Sequence, residues 1–179
     1  MRLKNNWLVA DTLERGCFAL VEIFMVVKLH HFYTIKNSFF ADFPDSNLKS
    51  NKQQKRPFYY CFKDSNGLYW VVPCSSQCAK YDTMIAKAQS MNRPVDKWHK
   101  IKLGGIDTIL LIQDVFPIKE KYIEEEFIKN NVHQRIASTS EQKIITKKAN
   151  KIIALRRYKG NLFSGQADIF KIEATLLNK

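Results

Sequence analysis

Residues 70–81, WVVPCSSQCAKY, crowd two serines, two cysteines, a lysine and a tyrosine into the eight positions that follow an apolar run stopped at Pro73. Three chemistries can be built from that set. Cys74 and Cys78, spaced C-x₃-C, offer two soft ligands toward a tetrahedral zinc site, with Cys17, Cys61, His30, His31, His99 and His133 as further donors. No second paired motif completes the four ligands, however, and a cysteine directly after a strand suits a small core hydrophobe. A Cys–His nucleophile using His99 or His133 has no local signature, and His99 between Trp98 and Lys100 fits an ordinary sheet position. The third chemistry is phosphate handling. A strand that ends at Pro73 and turns into a helix delivers Ser75 and Ser76 to the helix N-terminus, where unpaired N–H groups and the positive dipole end attract anions. Lys80 lies one turn on from Ser76, and Tyr81 adds an aromatic face. The same spacing equally lets Ser75 or Ser76 cap the helix and do nothing more.

The elements around this stretch bear on the choice. RPFYYCF (56–62) and LYWVV (68–72) are aromatic and β-branched runs joined by KDSNG, the pattern of a hairpin turning at Asn66-Gly67. A hairpin brings its outer ends together, so Arg56 is expected beside Ser75 and Ser76. Lys49, Lys52 and Lys55 precede Arg56 in a polar loop and add cations to the same edge. Tyr33, Phe39, Phe40 and Tyr81 are candidates for stacking on unpaired bases, with the core as the competing fate of the phenylalanines.

The rest of the chain reads as alternating hairpins and helices. HFYTI (31–35) is a short strand, and SFFADFPD (38–45) a helical turn ended by Pro44. Tyr81, Met84, Ile85, Ala88 and Met91 form one apolar helical stripe that stops at Asn92-Arg93-Pro94. WHKIKLG and DTILLIQ pair around Gly104-Gly105. Pro117 introduces IKEKYIEEEFIKN, in which Tyr122, Ile123 and Phe127 share a face, and VHQRIA (132–137) is a short strand. Ser138 with Glu141 offers a capping box. The long basic helix that follows puts Ile144, Ile145, Ala149, Ile152 and Ile153 inward and Lys143, Lys147, Lys148 and Lys151 outward; the segment after Gly160 is helical. Hairpins mixed with separate helices, with no regular β-α alternation, give an α+β fold around an antiparallel sheet.

A chain of 179 residues fits one domain and buries enough surface to need neither metal nor disulfide staples. Hydrophobic and charged contents of 45% and 26% are those of an ordinary soluble protein, but 29 basic against 17 acidic side chains leave a net charge of +12. That excess points to a polyanionic partner: nucleic acid, an acidic protein or an anionic membrane surface. Four cysteines in this length are no disulfide framework. ALVEIFMVV (19–27) is too short for a span and carries Glu22, while Asp11 and Glu14 spoil a signal-peptide layout. The expectation is a cytoplasmic protein with no membrane partner. Residues 1–28 differ in character and Met25 is an internal methionine, so they are expected to be an N-terminal extension, from an upstream start or as an extra packed element, with the functional domain over 29–179.

Taken in order, FYTIKNSFFADFPDSNL, RPFYYCF, GLYWVVPCSSQCAKY and LLIQDVFPIKEKYIEEEF resemble the ToxN/AbiQ family, the protein toxins of type III toxin–antitoxin systems, and within it the CptN/TenpN-type members. The resemblance runs from about residue 29 to the C-terminal helices; its strongest element is strand–Pro–x–Ser–Ser–x₃–Lys–Tyr. It implies a strongly curved antiparallel sheet with surrounding helices, similar to other ribonuclease toxins. It further implies an endoribonuclease that cleaves messenger RNA and its own antitoxin precursor without metal or other cofactor. A small repetitive pseudoknot RNA would inhibit it, in cyclic toxin–RNA assemblies that serve phage resistance or plasmid maintenance. Matched residue by residue, Ser76 falls at the catalytic centre, Ser75 where the family has Ser or Thr, Lys80-Tyr81 at a basic-aromatic pair and Arg56 at a basic active-site position. Cys74 and Cys78 depart from the pattern, and residues before about 28 have no counterpart.

Such an enzyme takes its nucleophile, the ribose 2′-hydroxyl, from the substrate and leaves a 2′,3′-cyclic phosphate. Arg56 suits the charge on the phosphorane, Ser76 with Ser75 the orientation of the scissile phosphate, and Lys80 a second clamp or the acid toward the leaving oxygen. Lys52, Lys55, Tyr33 and Tyr81 would line the path of the strand. The outward Lys143, Lys147, Lys148 and Lys151, with Arg156 and Arg157, are the expected holders of antitoxin RNA. A non-catalytic RNA-binding protein built on the same basic edge is the alternative.

Overall fold

Asp64 builds the turn that organises the sheet. Its carboxylate accepts the backbone N–H groups of Asn66 and Leu68 at 2.9 and 3.0 Å and the Trp70 indole N–H at 2.9 Å, while Gly67 takes the left-handed φ of +81° the turn requires. The computed structural model describes residues 26–178, and the turn joins β2 (Phe58–Lys63) to β3 (Tyr69–Ser75) with Phe58 opposite Pro73. Beyond them lie β1 (Phe32–Ile35), β4 (His99–Leu103), β5 (Ile106–Leu110), β6 (Phe116–Ile118) and β7 (Ile123–Glu126). The seven make one antiparallel sheet in the order β4-β5-β3-β2-β1-β7, with β6 also on β3. β2 pairs one edge of β3 while β6 at Tyr69–Val71 and β5 at Cys74–Ser75 pair the other, and all seven of its residues are buried. A separate two-stranded hairpin comprises β8 (Ile128–Lys129) and β9 (Val132–His133), turning through Asn130 and Asn131, both with left-handed φ.

Helices α1 (Asn37–Asp42), α2 (Cys78–Ser90), α3 (Thr139–Lys159) and α4 (Ile169–Asn178) complete an α+β fold. Ser138 caps α3 by accepting the Glu141 N–H at 3.3 Å, but the Glu141 carboxylate turns to His99 instead of closing the box. Ile145, Ala149, Ile152 and Ile153 are buried as their spacing predicts; Ile144 is 49% exposed, so the buried face is rotated away from it. Phe39 packs among Phe43, Phe116 and Tyr122, and Tyr33 meets the Tyr60 ring at 4.8 Å. A second, smaller core of Tyr81, Trp98, Ile109 and Leu111 lies under α2.

The segment after Pro117 differs from a helix-like face: Tyr122 closes a 3-10 turn and Ile123–Glu126 is an edge strand on β1, with Ile123 buried opposite Ile35 and Glu124 and Glu125 exposed. Pairing with β1, through an irregular register, wins over helical spacing here. Most of the expected 1–28 extension lies outside the described residues. At its end Val27 packs on the core and the Lys28 N–H donates to the Tyr33 hydroxyl at 2.8 Å. Among the described residues no helix is long and apolar enough to cross a membrane.

Candidate active site and nucleic-acid interface

Just before β2 the chain makes a strained turn. Lys52, Gln53 and Gln54 all hold left-handed φ angles of 50°, 57° and 62°, a conformation that costs a side-chain-bearing residue roughly 1–2 kcal/mol. Buried Asn51 enforces it: its carbonyl accepts the N–H groups of Lys55 and Arg56, and its side-chain amide donates to the Ile35 carbonyl and to Asn37. The turn aims Lys52, Lys55 and Arg56 to one side. Hairpin register then supplies the neighbours, since the Cys74 N–H donates to the Pro57 carbonyl at 3.1 Å and sets residue 56 beside the Ser75-Ser76 bend.

The result is a cavity of about 210 Å³ lined by Lys52, Lys55, Arg56, Ser75, Ser76, Thr108 and Lys129, with Leu103, Ile106 and Phe127 as its apolar wall. Four cations face it and no carboxylate does. Arg56 is half-buried, and two of its guanidinium nitrogens, Nε and Nη1, are shut off from solvent with no hydrogen-bond partner among the described residues. Burial pushes its pKa down from the ordinary value, an effect partly reversed by the Asp114 carboxylate. Asp114 is itself pushed up by burial and held in check chiefly by Lys49, 3.9 Å away. Four cations lining one recess favour an anion that brings oxygens to them.

Ser75 is buried and its hydroxyl accepts the Gln77 N–H at 3.3 Å, whereas Ser76 is exposed. Neither serine caps α2. Gln77 holds the N-cap position without a side-chain bond, and the first helical amide, Cys78 N–H, donates to the Ser76 carbonyl at 2.9 Å. Lys80, expected as clamp or acid, does not line the cavity; it stands on the first turn of α2 with its ammonium 5.6 Å from the Tyr81 ring centre. One turn of helix is enough to swing it past the recess. Tyr81 packs against Trp98, and Tyr33 and Phe39 are wholly buried, so none of these three is free to stack on a base; Phe40 is half-buried against the core.

Lys129 takes the position that Lys80 leaves unfilled, from a segment with no sequence signal of its own except the Asn130-Asn131 turn. Its stem lies on Gly104: a Cβ there would overlap Lys129 Cδ and stand 3.0 and 3.2 Å from Cγ and Cβ. Gly104 and Gly105, with φ of +55° and +82°, form the β4–β5 turn, so the missing side chain at 104 serves both the turn and the seating of Lys129.

The cysteines and histidines lie elsewhere. Burial pushes the Cys74 thiol far above its usual range, Cys61 meets Thr146, and Cys78 donates to the Asp107 carbonyl at 3.2 Å. Among the described residues no three His, Cys, Asp or Glu side chains gather as a metal site. His99 is bonded to Glu141 and His133 sits between Glu126 and the Phe32 carbonyl, neither of them beside a cysteine.

On α3 the expected RNA face is reduced. Lys143 and Lys147 are exposed and border a groove of about 570 Å³ with His30, Thr139, Gln142, Thr146 and Asn150. Lys148 turns inward to the Trp98 carbonyl at 3.1 Å, and Lys151 is tied to Asp96. Arg156 is only 2% exposed and donates to Asn161 and to the Ala167 carbonyl. Arg157 bonds Glu173 at 2.6 Å over the Phe170 ring. These four hold α3 to its neighbours, leaving two free cations where six were expected.

No protein-family model matches the sequence, and no curated protein does. Solved structures do match. One is AbiQ, a lactococcal anti-phage endoribonuclease of the type III toxin–antitoxin system, which is 14% identical with a TM-score of 0.59 over 81% of this chain and 94% of that one. Another comes from work on bacterial type III toxin–antitoxin systems and selective toxin inhibition by a non-coding RNA pseudoknot. It is 18% identical with a TM-score of 0.60 over 83% of this chain and 96% of that one. The chain has the fold of these type III toxins.

Proposed function

We propose that this chain is the toxin of a type III toxin–antitoxin pair: an endoribonuclease that cuts messenger RNA and its antitoxin precursor and is restrained by a small folded RNA. The observation that carries this reading is the half-buried Arg56, with two unpartnered nitrogens, in a recess of four cations and no carboxylate beside Ser75 and Ser76. Such a lining repels Mg²⁺, which needs oxygen donors, and attracts phosphodiesters. The ribose 2′-hydroxyl gives its proton to solvent as its oxygen attacks the adjacent phosphorus, and the bond to the 5′-oxygen breaks as that oxygen takes a proton, giving a 2′,3′-cyclic phosphate and a 5′-hydroxyl. Arg56 spans two phosphoryl oxygens and gains most when they carry the extra charge of the phosphorane. Ser75 and Ser76 orient the phosphate. Lys52, Lys55 and Lys129 replace Lys80 as clamps and as the source of the leaving-group proton.

Lys143 and Lys147 are the α3 contacts for antitoxin RNA, in a toxin–RNA hetero-oligomer in the cytoplasm, with residues 29–179 as the working domain. The test is incubation of the purified protein with a long RNA in excess EDTA, with mass analysis of the new 3′ ends. Cleavage that persists, leaves cyclic phosphate and disappears in Ser76→Ala is expected. A requirement for added magnesium would sink the mechanism, and binding without any cleavage would leave a non-catalytic RNA-binding protein.

A further inference from the structure

The apolar stripe on α2 divides in two. Tyr81 is buried and Ile85 half-buried, but Met84 and Met91 are 40% and 48% exposed, and with Trp98 they wall a cavity of about 380 Å³ at the far end of the helix from Ser76. Lys87, Arg93 and Lys97 border it and no carboxylate does; Lys97 is steadied over the Phe163 ring at 4.5 Å. Trp98 is 7% exposed, and its indole N–H is buried without a hydrogen-bond partner among the described residues.

We propose that this cavity is a second RNA subsite, taking one unpaired nucleobase from a strand whose scissile phosphate lies at Ser76. It rests on the RNA reading above but on no catalytic step. Apolar walls of thioether and indole suit a base face, and the three cations suit the flanking phosphates. An acidic peptide would satisfy the cations but bring no flat ring to the wall. The helix of 13 residues between the two sites sets them roughly 20 Å apart, a few nucleotides of extended strand.

The experiment uses the full chain carrying Ser76→Ala and two fluorescent single-stranded RNAs, one filling only the Ser76 recess and one long enough to run the length of α2. Binding of each is measured by anisotropy. The longer strand is expected to bind about tenfold tighter than phosphate count alone explains, the scale of one stacked base. Met84→Ser with Met91→Ser should remove that step and leave the short strand unchanged, and Met84→Leu with Met91→Leu should restore it; both positions are exposed, so folding is not at risk. A step untouched by the serine pair overturns the proposal, as does the absence of any step, the outcome if the groove serves an acidic protein segment. Cleavage by the wild-type chain, followed in parallel, separates the failures: cleavage without a step sinks the subsite alone, whereas no RNA binding at either length sinks both readings.

Discussion

Replacing Arg56 by methionine should make the protein more stable and nearly inactive. Two buried nitrogens without partners cost about 1–3 kcal/mol each in the unliganded fold, and methionine keeps much of the apolar stem while removing both. Against this gain, Asp114 loses one of its neighbouring cations, though Lys49 and Arg156 remain. The side chain is also only half-buried, which lowers the penalty. The net expectation is a gain of about 1 kcal/mol, or roughly 2–4 °C in Tm for a chain of this size. Cleavage should fall about 10²–10³-fold, the usual loss when a preorganised donor to a developing oxyanion is removed. Urea denaturation followed by circular dichroism gives the first number, and initial cleavage rates give the second. Inorganic phosphate provides an independent arm: it should raise the Tm of the wild type by mass action and leave Arg56→Met unmoved. A variant destabilised by more than about 1 kcal/mol would refute the reasoning, because Arg56 would then be a structural cation whose partners lie in the fold.

Other consequences follow from neighbouring geometry. Gly104→Ala and Gly105→Ala both place an alanine at left-handed φ and should cost similar backbone strain, but only the former meets Lys129; cleavage should drop in Gly104→Ala and persist in Gly105→Ala, and equal activities would dissociate Lys129 from the site. His30, His99 and His133 are each pushed below the ordinary value of 6.5, chiefly by burial, so the unfolded chain binds more protons than the native one near that pH. Their contribution is therefore present above about pH 6.5 and lost as pH falls through the lowered values; the urea midpoint at pH 5.5 should lie below that at pH 7.5, and a midpoint that rises on acidification would contradict the sign. Lys143→Ala with Lys147→Ala should weaken RNA binding and flatten its salt dependence without changing stability, whereas Arg156→Met should cost about 3 kcal/mol or more of stability. Calorimetry and filter binding on the two variants separate these roles.

What the sequence made legible is what local chemistry decides. Asn66-Gly67 and Gly104-Gly105 announce two turns, Ser138 starts α3, and pairing of the 56–62 and 68–72 runs suffices to bring Arg56 to Ser75 and Ser76. The misplacements arise where a side chain is equally suited to two surroundings. Tyr33 serves a core or a base stack, and only its contacts with Tyr60 and His133 choose the core. Lys148 reads as an outward lysine by its spacing, and it is the Trp98 carbonyl, from a segment fifty residues earlier, that draws it against the fold. Lys129 carries no motif because its role is made by a glycine in another hairpin.

The features that remain unexplained by folding converge on one corner. Three successive left-handed residues at 52–54, two unpartnered nitrogens on Arg56 and four cations without a carboxylate each raise the free energy of the unliganded chain. Packing does not need the charge: an apolar residue at 56 would fill the buried volume of the arginine as well. Local rules broken together, within reach of one another, indicate a ligand that repairs them together. A neutral substrate would leave the cations facing each other, and a divalent metal would add to their repulsion. A polyanion with oxygens spaced along a flexible backbone relieves the repulsion among the four cations, which is why binding at this corner should titrate with phosphodiester.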